Sequence, residues 1–245
     1  MIDWKKYFDH IYCIHYIPYR ERYKTCLDEL TRVGIRGSGI FSWKLTWDSP
    51  IFNKLYDICK SAPSLGCMKV GLAHYFAIKE AYELGFKRIL ILENDNIFLK
   101  DLDRIEHILD NLPDSDIVLL DKVPAVTAKY DEAVEKDKIN EDFIDIGHKF
   151  YVFANCYVLT RKGMEHVLKN QERRLDVSDK YLRFNATALE DPDLKRAAAI
   201  KTIAIQNPKF SENSENGKLS KVRKGINSNI DDYKRIGVVF EDYNQ

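Results

Sequence analysis

The sequence predicts an α/β domain whose central sheet is mostly parallel and flanked by helices. Strand-like apolar runs alternate with segments that are apolar at helical spacing, the pattern of a parallel sheet sandwiched between helices. The run Ile89-Leu90-Ile91-Leu92 is apolar on both faces, as a central strand covered from two sides requires. At 245 residues, 45% apolar and 31% charged, the chain is large enough to enclose one substantial core.

Each element has its own local reason. Phe8 to Ile17, dense in aromatic and β-branched side chains, reads as the first strand. Glu21 to Ile35 places Tyr23, Cys26, Leu27, Leu30 and Val33 at helical spacing, and Gly34 closes that helix. Met68 to Leu84 is a second helix with Leu72, Ala73, Phe76, Ala77 and either Ala81 or Tyr82 on one face, stopped by Gly85. Arg88 to Glu93 is the central strand, ending in a polar cluster. Asp101 to Leu112 repeats the helical spacing, and Asp116 to Asp121, after Pro113, is a short buried strand. Lys122 to Lys149 is polar and weakly periodic, and reads as a long surface excursion. A strand over Phe150 to Thr160, a helix over Arg161 to Asn170 and a last strand over Ile200 to Ile205 complete a domain spanning 1–210. Residues 211–245, rich in Ser, Asn, Glu, Gly and Lys, are expected to form a flexible basic tail.

Composition narrows the function. Basic and acidic side chains balance at 38 each, which disfavours a nucleic-acid binder led by bulk positive charge. No apolar run reaches the roughly 18 to 20 residues that cross a bilayer, and Met1-Ile2-Asp3-Trp4-Lys5-Lys6 is no signal-peptide core. The expectation is a soluble, cytoplasmic protein, with peripheral contact at the inner membrane face left open. Cys13, Cys26, Cys59, Cys67 and Cys156 lack zinc-ribbon or Cys-x-x-Cys spacing, and are expected to be reduced and mostly packed as small hydrophobes. Neither a Gly-x-Gly-x-x-Gly nor a Gly-Lys-Ser/Thr phosphate loop occurs.

Chemistry concentrates at Leu92-Glu93-Asn94-Asp95-Asn96. Alternation along a strand turns Glu93 and Asp95 the same way. Two carboxylates so placed suit Mg²⁺ or Mn²⁺, which commonly binds through one or two acids plus the phosphates of a substrate. Polar residues also end many strands, and Asp and Asn are ordinary turn formers, so the pattern alone stays open between a metal site and a turn.

Several separated segments resemble glycosyltransferase family 25, the lipopolysaccharide and lipooligosaccharide transferases whose relatives include the collagen galactosyltransferases. Ile11-Tyr12-Cys13-Ile14-His15-Tyr16, followed by Arg20-Glu21-Arg22 and Gly34-Ile35, is similar to that family's opening strand, arginine-rich turn and helix end. Leu72-Ala73-His74 resembles its Leu-Ser-His, and Leu92-Glu93-Asn94-Asp95 its Leu-Glu-Asp-Asp. Tyr157-Val158-Leu159-Thr160-Arg161-Lys162-Gly163 and Leu175-Asp176 match later motifs in order and spacing. The departures are Asn94 for an acid, His15 for asparagine, Ala73 for serine and a displaced or lost Gly-Cys pair.

The resemblance implies a GT-A-like single domain, a nucleotide-diphosphate sugar as donor (a UDP-sugar by choice), and a divalent cation, Mn²⁺ or Mg²⁺, bridging the acidic motif and the diphosphate. It implies inverting transfer of a hexose, galactose as the working choice, to a glycan or glycolipid acceptor such as a lipooligosaccharide. Glu93 and Asp95 are the expected metal and donor ligands, with Arg22 and His74 as further donor contacts. Asp176 is the candidate base, with Asp179, Glu190 and Asp191 as rivals. Lys218, Lys221, Arg223 and Lys224 in the tail are a possible lid over the diphosphate. The alternative is a non-catalytic relative of the same fold that binds sugars or a partner, for which Asn94 is the best support.

Overall fold

The computed structural model describes residues 1–15, 20–36, 39–42, 65–121, 123–124, 136–146, 151–152, 155–173, 193–207 and 239–243. The strands are β1 (His10–His15), β2 (Gly39–Ser42), β3 (Arg88–Glu93), β4 (Asn96–Phe98), β5 (Ile117–Leu119), β6 (Val123–Pro124), β7 (Phe143–Asp145), β8 (Tyr151–Val152), β9 (Cys156–Thr160), β10 (Arg196–Ala199) and β11 (Ala204–Gln206). Seven of them form the main sheet in the order β2-β1-β3-β9-β5-β10-β7, while β11 pairs with β4 and β6 with β8. β1 runs parallel to both β2 and β3, and β10 parallel to β5. β9 is antiparallel to β3 and β5, and β7 to β10. The predicted α/β class with a mostly parallel sheet is therefore what the chain forms.

Among the described residues, four helices cover the sheet: α1 (Arg20–Arg32), α2 (Leu65–Glu83), α3 (Leu102–Asp110) and α4 (Arg161–Arg173). Strand alternation divides the core into two layers. Ile11, Cys13, Leu90, Leu92, Val118 and Val158 face Cys26, Leu30 and Val33 of α1 and Ile105, Ile108 and Leu109 of α3. Tyr12, Ile14, Ile89, Ile91, Tyr157 and Leu159 face Ala73, Ala77, Ile78 and Ala81 of α2 and Met164 and Val167 of α4. Gly34 and Gly85 end α1 and α2 as predicted, each at φ near +80°, and Ile35 N and Phe86 N close the turns onto Leu30 O and Ala81 O.

Some expectations change. The strand expected over Ile200 to Ile205 begins only at Ala204, as β11: β10 ends before it, at Ala199, and residues 200–203 turn the chain out of the main sheet to the β4 pair. The excursion from Lys122 to Lys149 supplies β7, whose Phe143 and Ile144 are buried at the sheet edge. Within the stretch expected to be a tail, residues 239–243 are docked. Tyr243 is buried, its hydroxyl 2.7 Å from Thr202 Oγ1, and it bridges to Leu99. Lys218, Lys221, Arg223 and Lys224 lie outside the described residues, as do Cys59, Asp176, Asp179, Glu190 and Asp191. Cys13, Cys26 and Cys156 are free thiols and buried, as expected. Among the described residues no helix is long and apolar enough to cross a membrane.

Candidate active site

The order of strands locates the site. From β1 the chain passes through α1 to β2 on one side, and later enters β3 on the other. The carboxyl ends of β1 and β3 thus flank a topological switch point, the place where open α/β sheets bind ligands. His15 ends β1, Glu93 ends β3, and Asn155 precedes the antiparallel β9 at the same edge.

Alternation puts Glu93 on the face of Ile89 and Ile91, toward α2. There His74 of α2 meets it, Nε2 lying 3.1 Å from Glu93 Oε1, while Nδ1 lies 2.7 Å from the hydroxyl of Tyr157 on β9. A carboxylate only accepts, so Nε2–H donates to Glu93, which leaves Nδ1 to the Tyr157 hydroxyl. Burial and then the charge of Glu93 hold the Tyr157 phenol well above its ordinary range, and so protonated. His74 is 1% exposed and uses both nitrogens inside the protein, and Glu93 retains 22% exposure. His74 positions Glu93.

β3 ends at Glu93, and Asn94-Asp95 is a turn into β4. Strand alternation therefore does not carry Asp95, and its placement comes from donors around the turn. Asn155 Nδ2 reaches Asp95 Oδ1 at 3.3 Å and Gln206 Nε2 reaches Oδ2 at 3.0 Å. From α1, on the opposite face to His74, Arg22 Nη1 stands 3.6 Å from the same Oδ2. Burial pushes the Asp95 carboxyl up to about 6, and the neighbouring Glu93 charge acts the same way. Arg22 and Gln206 pull it back in part. The backbone supports the turn: Asn207 N donates to Asp95 O at 2.6 Å, and Asn155 O accepts from Glu93 N at 2.8 Å and Asn96 Nδ2 at 2.5 Å.

Asn94 points elsewhere. Its Nδ2 lies 2.6 Å from His15 Nδ1, and burial, then Arg22, holds that imidazole below its ordinary range and so able to accept. Asn94 is a tie between β1 and β3.

Of the expected residues, Arg22, His74, Glu93 and Asp95 come together at one edge. Asn155, Tyr157 and Gln206 join them as partners that sequence reasoning did not assign. Gln206 and Asn155 carried a weak signal, each being a polar residue at the edge of an apolar strand.

The donor set fits a hard divalent cation. The Glu93 carboxylate is near enough for its charge to act on the Asp95 carboxyl, and Asn96 Oδ1, in the next residue, is a buried oxygen without a hydrogen-bond partner among the described residues. A second set, His107, Glu141 and Asp142, brings three donor atoms within 4.8 Å. Arg104 pairs with Asp142, and Asn111 Nδ2 donates to Asp142 Oδ2 at 2.7 Å. The guanidinium already supplies the charge a cation would bring, so this set ties α3 to the 136–146 segment. A cavity of about 230 Å³ lined by Trp4, Phe8, Ile11 and Ile35 lies at the amino end of β1, and Arg22, His74, Glu93 and Asp95 take no part in it.

No protein-family model and no curated protein matches the chain. Among solved structures, mouse xyloside xylosyltransferase 1 in its apo form is 10% identical, covering 76% of this chain and 83% of that one, at a TM-score of 0.39. A UDP-glucose pyrophosphorylase complexed with UDP-glucose is 11% identical, covering 78% of this chain and 90% of that one, at a TM-score of 0.41. Likeness at that level carries no functional inference.

Proposed function

We propose that the chain is a metal-assisted glycosyltransferase of GT-A type that takes a hexose from a nucleotide-diphosphate sugar. One observation carries the reading: at the switch point between β1 and β3 the Glu93 charge acts on the buried Asp95 carboxyl, and Arg22 stands 3.6 Å from that same carboxyl. Two acids and a guanidinium at that edge suit a diphosphate and the cation that accompanies it.

Each residue has a part in that chemistry. Glu93, oriented by His74, presents its part-exposed carboxylate to the cation or to the donor ribose. Asp95 offers the second carboxylate from a turn fixed by Asn155 and Gln206. Arg22, in the first turn of α1, supplies a fork of donors for the diphosphate. Mn²⁺ or Mg²⁺ held by the two acids would act as a Lewis acid on the leaving diphosphate. The acceptor hydroxyl needs a base, for which Asp176 and Asp179 remain the candidates. Inversion, galactose, a UDP-linked donor and a lipooligosaccharide-like acceptor belong to the same proposal through the family-25 resemblance.

Calorimetry with UDP, with and without Mn²⁺, tests it. The wild-type chain should bind UDP with a metal-dependent heat, and Asp95→Asn should lose most of that dependence. A second reading, a non-catalytic binding relative, is favoured by the 3% exposure of Asp95. Absence of any metal-dependent heat would support it, and turnover in a panel of nucleotide sugars would dismiss it.

A further inference from the structure

Resting on that reading, we infer that Arg22 is a latch on the cation site. It holds Asp95 while no donor is bound, and releases it by moving to the diphosphate when the donor arrives.

The basis is competition for one carboxylate. Asp95 Oδ2 faces Gln206 Nε2 at 3.0 Å and Arg22 Nη1 at 3.6 Å, and Oδ1 faces Asn155 Nδ2 at 3.3 Å. With Asp95 3% exposed, a cation from solvent must displace what covers that carboxylate, and among the described residues these three donors face its oxygens. Asn155 is fixed at the head of β9, its carbonyl receiving Glu93 N and Asn96 Nδ2. Gln206 closes β11, in register with Asn96 of β4. Arg22 is different. It projects from the first turn of α1 with 22% exposure, and is the only one of the three whose charge repels a cation.

A diphosphate gives the guanidinium a better partner, because a planar fork meets two phosphate oxygens at once. Transfer of Arg22 to the phosphates clears Asp95 Oδ2 at the moment the cation is needed. Cation and diphosphate then each bind more tightly in the presence of the other, and linkage requires the two effects to be equal. Part of that coupling runs through Arg22, in addition to direct contact between ion and phosphate.

The test is Mn²⁺ binding to the full chain, followed by the electron paramagnetic resonance signal of free Mn²⁺, with and without UDP. Arg22→Gln and Arg22→Met are compared with wild type, and thermal melts establish that they are folded. The latch predicts that both variants bind Mn²⁺ alone on the order of tenfold more tightly than wild type. UDP should then improve their Mn²⁺ binding by a smaller factor than in wild type. Unchanged or weaker Mn²⁺ affinity in the folded variants overturns the latch, since a plain phosphate ligand or a packing residue would give that result. If neither wild type nor the variants bind Mn²⁺, with or without UDP, the metal reading itself fails and the latch with it.

Discussion

At Asp95 charge and burial are opposed, its carboxyl raised from an ordinary 3.8 to about 6. That difference corresponds to about 3 kcal/mol set against the ionised form in the folded state. Between those two values the native chain holds the proton more tightly than the unfolded chain, so this contribution to stability is present at low pH and lost as pH rises toward neutrality. Asp95→Asn removes the charge, and its amide meets the donors Asn155, Gln206 and Arg22 less well than a carboxylate does. The net expectation is a variant about 1 kcal/mol more stable than wild type at pH 7.5, with no gain at pH 4.5. Urea unfolding at the two pH values measures this. Equal destabilisation at both would mean that Asp95 is an ordinary structural ion pair. Residues 15 and 94, two positions where the sequence departs from the motifs it resembles, touch each other at 2.6 Å. The amide of Asn94 donates to a ring that burial keeps neutral, so the substitution of an acid there is matched by a partner that needs no negative charge.

The elements divide between those written locally and those written by partners. β3 and α3 were legible within a residue or two, the first from its unbroken apolar run and the second from helical spacing behind Asp101, whose side chain accepts from Arg104 N. β7 and β10 were not, because a short edge strand and an Arg-Ala-Ala-Ala run carry little pattern of their own and are strands only through pairing with each other and with β5. The same holds at the site: Glu93 could be read from the end of a strand, whereas Gln206 reaches Asp95 only because β11 returns beside β4. Gly163 shows how a motif residue can be structural. A Cβ there would stand 2.1 Å from Asp116 O, backbone leading into β5, so α4 starts against β5 with no room for a side chain. Helix propensity alone would make Gly163→Ala favourable by about 1 kcal/mol. The clash should outweigh it, for a net loss of about 2 kcal/mol and a Tm lower by about 4 to 8 °C. A melt within a degree of wild type would mean that α4 shifts away at no cost.

For the molecule as a whole, the site belongs to no single element. β1 and β3 end there, α1 and α2 reach it from opposite faces of the sheet, and Asn155 at the head of β9 and Gln206 of β11 supply the amides that hold Asp95. The alternation of apolar runs was enough to foresee the sandwich, but not the antiparallel β9, since its sequence is equally apolar in either direction and only the register Ile91↔Tyr157 fixes it. A site assembled from so many elements ties ligand binding to global stability, because a ligand held only by the folded chain stabilises it by mass action. At free concentrations about a hundred times the dissociation constant, Mn²⁺ with UDP should add about 2.7 kcal/mol, and for a chain of this size raise Tm by about 5 to 10 °C. UDP with chelator should give a much smaller shift, and so should Mn²⁺ with UDP on Asp95→Asn. A full shift under either condition would place the nucleotide somewhere other than the end of β3, since only there do two acids and Arg22 make nucleotide and metal depend on the same carboxylate.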